Sequence, residues 1–124
     1  MKVYSVEEQR KHLKEWAAAL RSGEYEQCMD DFKNGKGQHC AVGVGIEVST
    51  DFIMPEITVG YDFDHISHID NTNNTHKLRH SAFCNYYGLT KAVYEEITDD
   101  NDDGVTFEAL ADYLEEISEE KRYR

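Results

Sequence analysis

Apolar residues recur at helical spacing near the start of the chain. Val6, Leu13, Trp16, Ala17 and Leu20 fall on one face of a 3.6-residue helix. Ser5 precedes the run and Glu8 follows three residues later. That is the spacing of a capping box, in which each side chain takes a backbone N–H that the helix leaves unpaired. Arg21 suits the last turn, and Gly23 supplies the left-handed residue that ends it. The pattern predicts a helix over residues 6–21. A second apolar face, Phe107, Leu110, Ala111, Leu114 and Ile117, predicts a helix from about Thr106 to Glu119. Between them, Leu78, Ala82 and Tyr86 share a stripe with Phe83 and Tyr87 beside it, which predicts a helix capped by Thr75 and ended by Gly88. Thr90 then caps a short helix, KAVYEEI.

The middle of the chain follows a different period. Asn34-Gly35 and Lys36-Gly37 form a turn signal, with short strands expected around Met29 to Lys33 and Gln38 to Ala41. Cys40, Val42, Val44, Ile46 and Val48 alternate with small or polar residues, which argues for a strand, although Gly43 and Gly45 weaken either a strand or a helix. Ile57, Val59, Tyr61 and Phe63 alternate again and predict a second strand. HISHIDNTNNTHK is rich in Asn and Thr and reads as an exposed loop. Helix, β segments, then helices is the order of an α+β fold. The expectation is a single small domain over residues 1–124, mainly helical with a short β-hairpin or small antiparallel sheet.

Composition agrees with one globular domain of 124 residues. Charge adds an asymmetry. Acids outnumber bases 25 to 13, and twelve of the acids lie between Glu95 and Glu120 with no Lys or Arg among them. Such a face repels phosphate backbones, which argues against nucleic acid as a partner, and it attracts basic protein surfaces or divalent cations. Asp112, Glu115, Glu116, Glu119 and Glu120 are the candidate binding residues of this acidic face. Cys28, Cys40 and Cys84 are an odd, widely spaced set, which reads as free thiols in a reducing compartment. The N-terminal segment has no apolar signal-peptide core, and no stretch approaches a membrane span, so a cytoplasmic protein with no membrane partner is expected.

Two constellations carry candidate metal chemistry. In TDDNDDGVTFEAL, Asp99, Asn101 and Asp103 occupy calcium-loop positions 1, 3 and 5, and Gly104 occupies position 6. Position 12 is Leu110, where a bidentate glutamate belongs, and Leu110 lies on the apolar face of the last helix. A turn followed by a capped helix explains the same letters. On the predicted third helix, His76, His80 and Cys84 fall at i, i+4 and i+8, a spacing that presents imidazoles and a thiolate to one zinc ion. His65 and His68 lie nearby. The expectation is that no cofactor is needed, with calcium or zinc as the alternative. His39-Cys40 is the one adjacent Cys/His pair, but Cys40 falls on the apolar phase of its segment. No P-loop, GxGxxG or GxSxG is present, and no catalytic residue is assigned.

WAAALRSGEYEQ, HCAVGVGIEV and DDGVTFEALADYLEE, in that order, resemble a group of small uncharacterised phage and prophage proteins. Those proteins look like W-x-x-A-L-x-S-G-x-Y-x-Q, then C-C-L-G-V, then N-D-x-x-G-x-S-F-x-x-I-A-x-x-I. His39 stands where the first cysteine of their pair would be, and residues 51–77 have no counterpart. The resemblance implies that a helix opens after Cys40, against the period-2 pattern. It also implies a phage or prophage origin and action in the host cytoplasm. The expected function is a non-catalytic accessory protein that binds a host protein, with counter-defence as one possible role, through its acidic surface. The alternatives are a metal-binding module and a small-molecule-binding or sequestering protein.

Overall fold

The computed structural model describes residues 3–58, 60–61, 63, 66–69 and 74–119. Helix α1 (Val6–Arg21) starts on the capping box: Ser5 Oγ accepts the Glu8 N–H at 3.1 Å, and the Glu8 carboxylate accepts the Ser5 N–H at 3.1 Å. Ser22 caps its end and Gly23, at φ +78°, turns the chain away. Leu13, Trp16, Ala17 and Leu20 are buried, whereas Val6 stays exposed in the first turn.

Helix α2 (Ala41–Val48) follows Cys40, whose Sγ accepts the Gly43 N–H at 3.3 Å. Ala41 to Ile46 are all buried, so α2 is an apolar helix whose one charged residue, the half-buried Glu47, lies in its last turn. Its two glycines permit contact rather than flexibility. A Cβ on Gly43 would lie 1.9 Å from the Phe32 carbonyl oxygen, and one on Gly45 would lie 2.8 Å from the Trp16 ring. Trp16 is fully buried between α2 and its neighbours, donates Nε1–H to Ala41 O at 2.9 Å, and meets Phe83 edge-on with ring centroids 5.6 Å apart.

Strands β1 (Phe52–Ile53), β2 (Ser67–Ile69) and β3 (Thr75–Lys77) form an antiparallel sheet in the order β1-β2-β3. Helix α3 (His80–Tyr87) ends at Gly88 in the left-handed conformation, φ +71°. Thr90 Oγ1 accepts the Val93 N–H at 3.2 Å and opens α4 (Lys91–Asp102). Thr106 Oγ1 accepts the Ala109 N–H at 3.2 Å and opens α5 (Phe107–Glu119). All five residues of the expected α5 face are buried. Helices α1 and α5 form the most extensive contact in the molecule, and the aromatic side chains of α3 fill the space between α1 and α2. The fold is α+β: the described residues form five helices and one three-stranded antiparallel sheet.

The helix expected as KAVYEEI extends to Asp102, and four other local expectations change. The strands expected around Asn34-Gly35 reduce to single bridges from His39 to Gln27 and to Lys33, because the Asn34 side chain closes a tight loop by accepting the Lys36 and Gln38 N–H groups at 3.0 Å. No strand forms among the described residues from Ile57 to Phe63. Ile57 is exposed, Thr58 is buried and hydrogen-bonded to Lys33, and Gly60 turns at φ +63°. Within the expected HISHIDNTNNTHK loop, Ser67–Ile69 and Thr75–Lys77 pair as strands. Thr75 therefore caps no helix: α3 begins at His80, after Arg79 in extended backbone.

Candidate functional site: the acidic face of α4 and its aromatic cleft

The TDDNDD stretch is the end of a helix. Asp103 is its C-cap and Gly104, at φ +91°, supplies the turn. Asn101 is 1% exposed. Its Oδ1 accepts from Gln27 Nε2 at 2.9 Å and from the Ala41 N–H at 3.0 Å, and its Nδ2 donates to Cys28 O at 2.9 Å. It therefore ties the end of α4 to the start of α2 and to the loop before it. Asp102 accepts from the Tyr61 hydroxyl and, at 3.2 Å, from the Asp30 N–H. Both residues are structural.

This geometry overturns the calcium loop. Residues two apart on a helix point to nearly opposite sides, so Asp99, Asn101 and Asp103 do not converge. The Asn101 oxygen is turned into the core, and Leu110, at 2% exposure, is committed to the α5 core face.

The His76, His80 and Cys84 set also separates. His76 lies on β3, while His80 opens α3 and Cys84 follows one turn later. Cys84 Sγ is 3.6 Å from His80 Nε2, so those two do touch. Burial pushes the Cys84 thiol up to about 12, and burial first, then Lys91, holds His80 below its ordinary value. The contact is between a neutral thiol and a neutral imidazole. Among the described residues, no three His, Cys, Asp or Glu side chains are placed to hold one metal ion. His65 lies outside those residues.

His39 and Cys40 make no nucleophile either. His39 Nε2 donates to Glu47 Oε2 at 2.9 Å, with Tyr25 edge-on to its ring, and its Nδ1 is buried without a partner among the described residues. Burial pushes the Cys40 thiol up to about 12.

The predicted α5 acids divide. Asp112 and Glu115 both pair with Arg21 of α1, and Glu119 pairs with Lys14 at 3.4 Å. These acids rivet α1 to α5. Glu116 is exposed, and Glu120 lies outside the described residues. Among the described residues, Glu96, Asp99, Asp100, Asp103, Glu108 and Glu116 form no ion pair, so the unneutralised charge is centred on α4. Asp100 has its pKa raised, by partial burial first and then by Glu96, Asp103 and Asp99. The last turn of α4 contains no base, so these carboxylates also face the negative end of the helix dipole. Tyr113 joins the two helices by donating to Glu96 at 3.1 Å.

A cleft of about 480 Å³ opens at the side of this face. Tyr61, Phe63 and Tyr94 line its aromatic part, and His80, Lys91, Glu95 and Asp99 line its polar part. Lys91 and Glu95 are 4.0 Å apart. The Tyr94 ring meets His80 edge-on at 4.3 Å and Phe63 at 6.1 Å. The structure thus brings together His80 and Asp99, which the sequence placed in two separate metal sites. The sequence reading missed Tyr61, Phe63, Tyr94 and Lys91. The two Tyr/Phe alternates looked like strand residues, and Tyr94 sat in a helix whose length was underestimated.

Residues 9–118 match the domain of unknown function DUF8296. No curated protein and no solved structure matches the chain.

Proposed function

The chain belongs to the DUF8296 family, whose function is unknown, and from its geometry we propose that it is a non-catalytic accessory protein that docks a basic surface of a partner protein on α4. The observation that carries this reading is the run of unpaired carboxylates Glu96, Asp99, Asp100 and Asp103, held against the dipole of their own helix. A cationic partner would relieve the dipole clash and the mutual repulsion that, after burial, raises the Asp100 pKa. Beside them, Glu95, Asp99 and the faces of Tyr61 and Tyr94 suit the side chain of an arginine or lysine, through ion pairing and cation–π contact. The resemblance to phage and prophage proteins supports a host protein as that partner. Three free, buried cysteines fit action in a cytoplasm. No helix among the described residues is long and apolar enough to cross a membrane.

The test is capture from a bacterial host lysate at low and high salt. A basic protein bound by the unaltered chain should be lost from Asp99→Lys/Asp100→Lys/Asp103→Lys. It should be kept by Glu15→Lys/Glu24→Lys/Glu56→Lys, which changes the charge equally elsewhere. Equal loss from both variants, or undiminished capture by the α4 variant, would sink the mechanism.

The cleft volume also favours a second reading, a small cationic ligand, since about 300–1,000 Å³ is usual for such sites. Reversal of Asp100 and Asp103, which lie outside the cleft, would then leave ligand binding intact.

A further inference from the structure

Away from α4, two histidines stand opposite each other on the sheet. His68 of β2 and His76 of β3 are direct Cα partners in the antiparallel ladder, so their side chains leave the same face. Their ring centroids are 5.5 Å apart and their planes are inclined at 42°. Phe52 of β1 is the partner of His68 on the other side. The row therefore runs from buried Phe52, through half-buried His68, to exposed His76. One flank is apolar and the other is open to a hydrated ion.

This spacing is compatible with a metal clamp. Two imidazoles that bind one zinc ion at about 2.0–2.1 Å, at a roughly tetrahedral angle, have ring centroids about 5 Å apart. The ladder hydrogen bonds hold both backbones, so little ordering is needed to close the site. We propose that His68 and His76 form a two-histidine site for a borderline divalent transition cation, with zinc, nickel or copper(II) as candidates and water or an external ligand completing the coordination. Neutral imidazole suits these ions and does not suit calcium or magnesium. The neighbours Thr75 and Lys77 alternate to the opposite face of the sheet.

The experiment titrates zinc(II) and nickel(II) into the full chain, carried without a His tag and stripped with chelator. Heat is measured on binding, and histidine ring-proton NMR signals are followed in parallel. The expected result is saturable binding that moves two sets of ring signals. His68→Ala and His76→Ala should each weaken it by at least about tenfold, as expected for loss of one of two ligands. His80→Gln and Cys84→Ala, which remove the residues of the alternative set, should leave the affinity unchanged. Melting without metal checks that each variant folds, and His68→Gln repeats the test should alanine disturb the hairpin. Absence of binding up to about 1 mM metal, far weaker than imidazole pairs provide, would overturn the site. So would full affinity in either the His68 or the His76 variant, or an equal loss in His80→Gln.

Discussion

Asn101 separates a calcium loop from a helix end by a single substitution. In a calcium loop, aspartate at this position would add a ligand charge. Here it would replace the Nδ2 donor to Cys28 O with a carboxylate oxygen, at a site 1% exposed. Asn101→Asp is expected to lower unfolding free energy by about 2–4 kcal/mol in urea titration, with no melting-temperature gain on adding calcium. A gain with calcium would revive the loop. Gly43 makes a second sharp case. An alanine in a helix interior ordinarily stabilises relative to glycine by roughly 1 kcal/mol. At Gly43 the added Cβ would overlap the Phe32 carbonyl, a backbone atom that has no rotamer to escape into. Gly43→Ala is expected to reverse that sign and cost about 3 kcal/mol or more, read as a fall in the urea midpoint. Neither role was legible in the sequence. Asn101 is defined by contacts to residues 27, 28 and 41, and Gly43 by a contact to residue 32, all distant along the chain.

Elements were legible where one face is buried and the other solvated. Helices α1 and α5 have that contrast, and apart from the exposed Val6 their caps and core faces read correctly from spacing. Helix α2 has a single charged residue, Glu47, and is otherwise apolar or glycine, so its alternating glycines imitated a strand, and only the family resemblance pointed to a helix. Helix α4 read as short because its last turn is polar and acidic, a composition that usually marks a loop. That turn carries its own prediction. The folded-state pKa of Asp100 lies above its ordinary value, so the carboxylate charge destabilises the fold at neutral pH and the penalty vanishes as pH falls below the unfolded value, near 3.8. Asp100→Asn is therefore expected to raise the melting temperature at pH 7, by the equivalent of about 0.3–1 kcal/mol for a charge removed from a helix end. The gain should disappear near pH 3.5. A variant less stable at pH 7 would show that Asp100 has a structural partner.

Across the whole molecule, the formal charge of −12 is unevenly used. The α5 acids that meet Arg21 and Lys14 join the first helix to the last, whereas on α4 Glu95 pairs with Lys91 and Glu96, Asp99 and Asp100 form no ion pair among the described residues. The acidic C-terminal segment is plain in the sequence, but the sequence could not divide those acids, because the division depends on which helix packs beside them. This partition gives salt two opposite effects. Raising ionic strength from about 0.02 to 0.2 M shortens the screening length from roughly 20 Å to under 10 Å, which weakens the long-range repulsion among the α4 carboxylates more than contact pairs at the α1–α5 rim. The free protein should therefore melt at a higher temperature as salt is added. A complex built on attraction between α4 and a basic partner should dissociate over the same range. Differential scanning fluorimetry and a binding titration on one salt series measure both. A complex insensitive to salt would mean that the α4 charge is not what the partner recognises, and a melting temperature that falls with salt would mean that the ion pairs to Arg21 and Lys14 outweigh the repulsion.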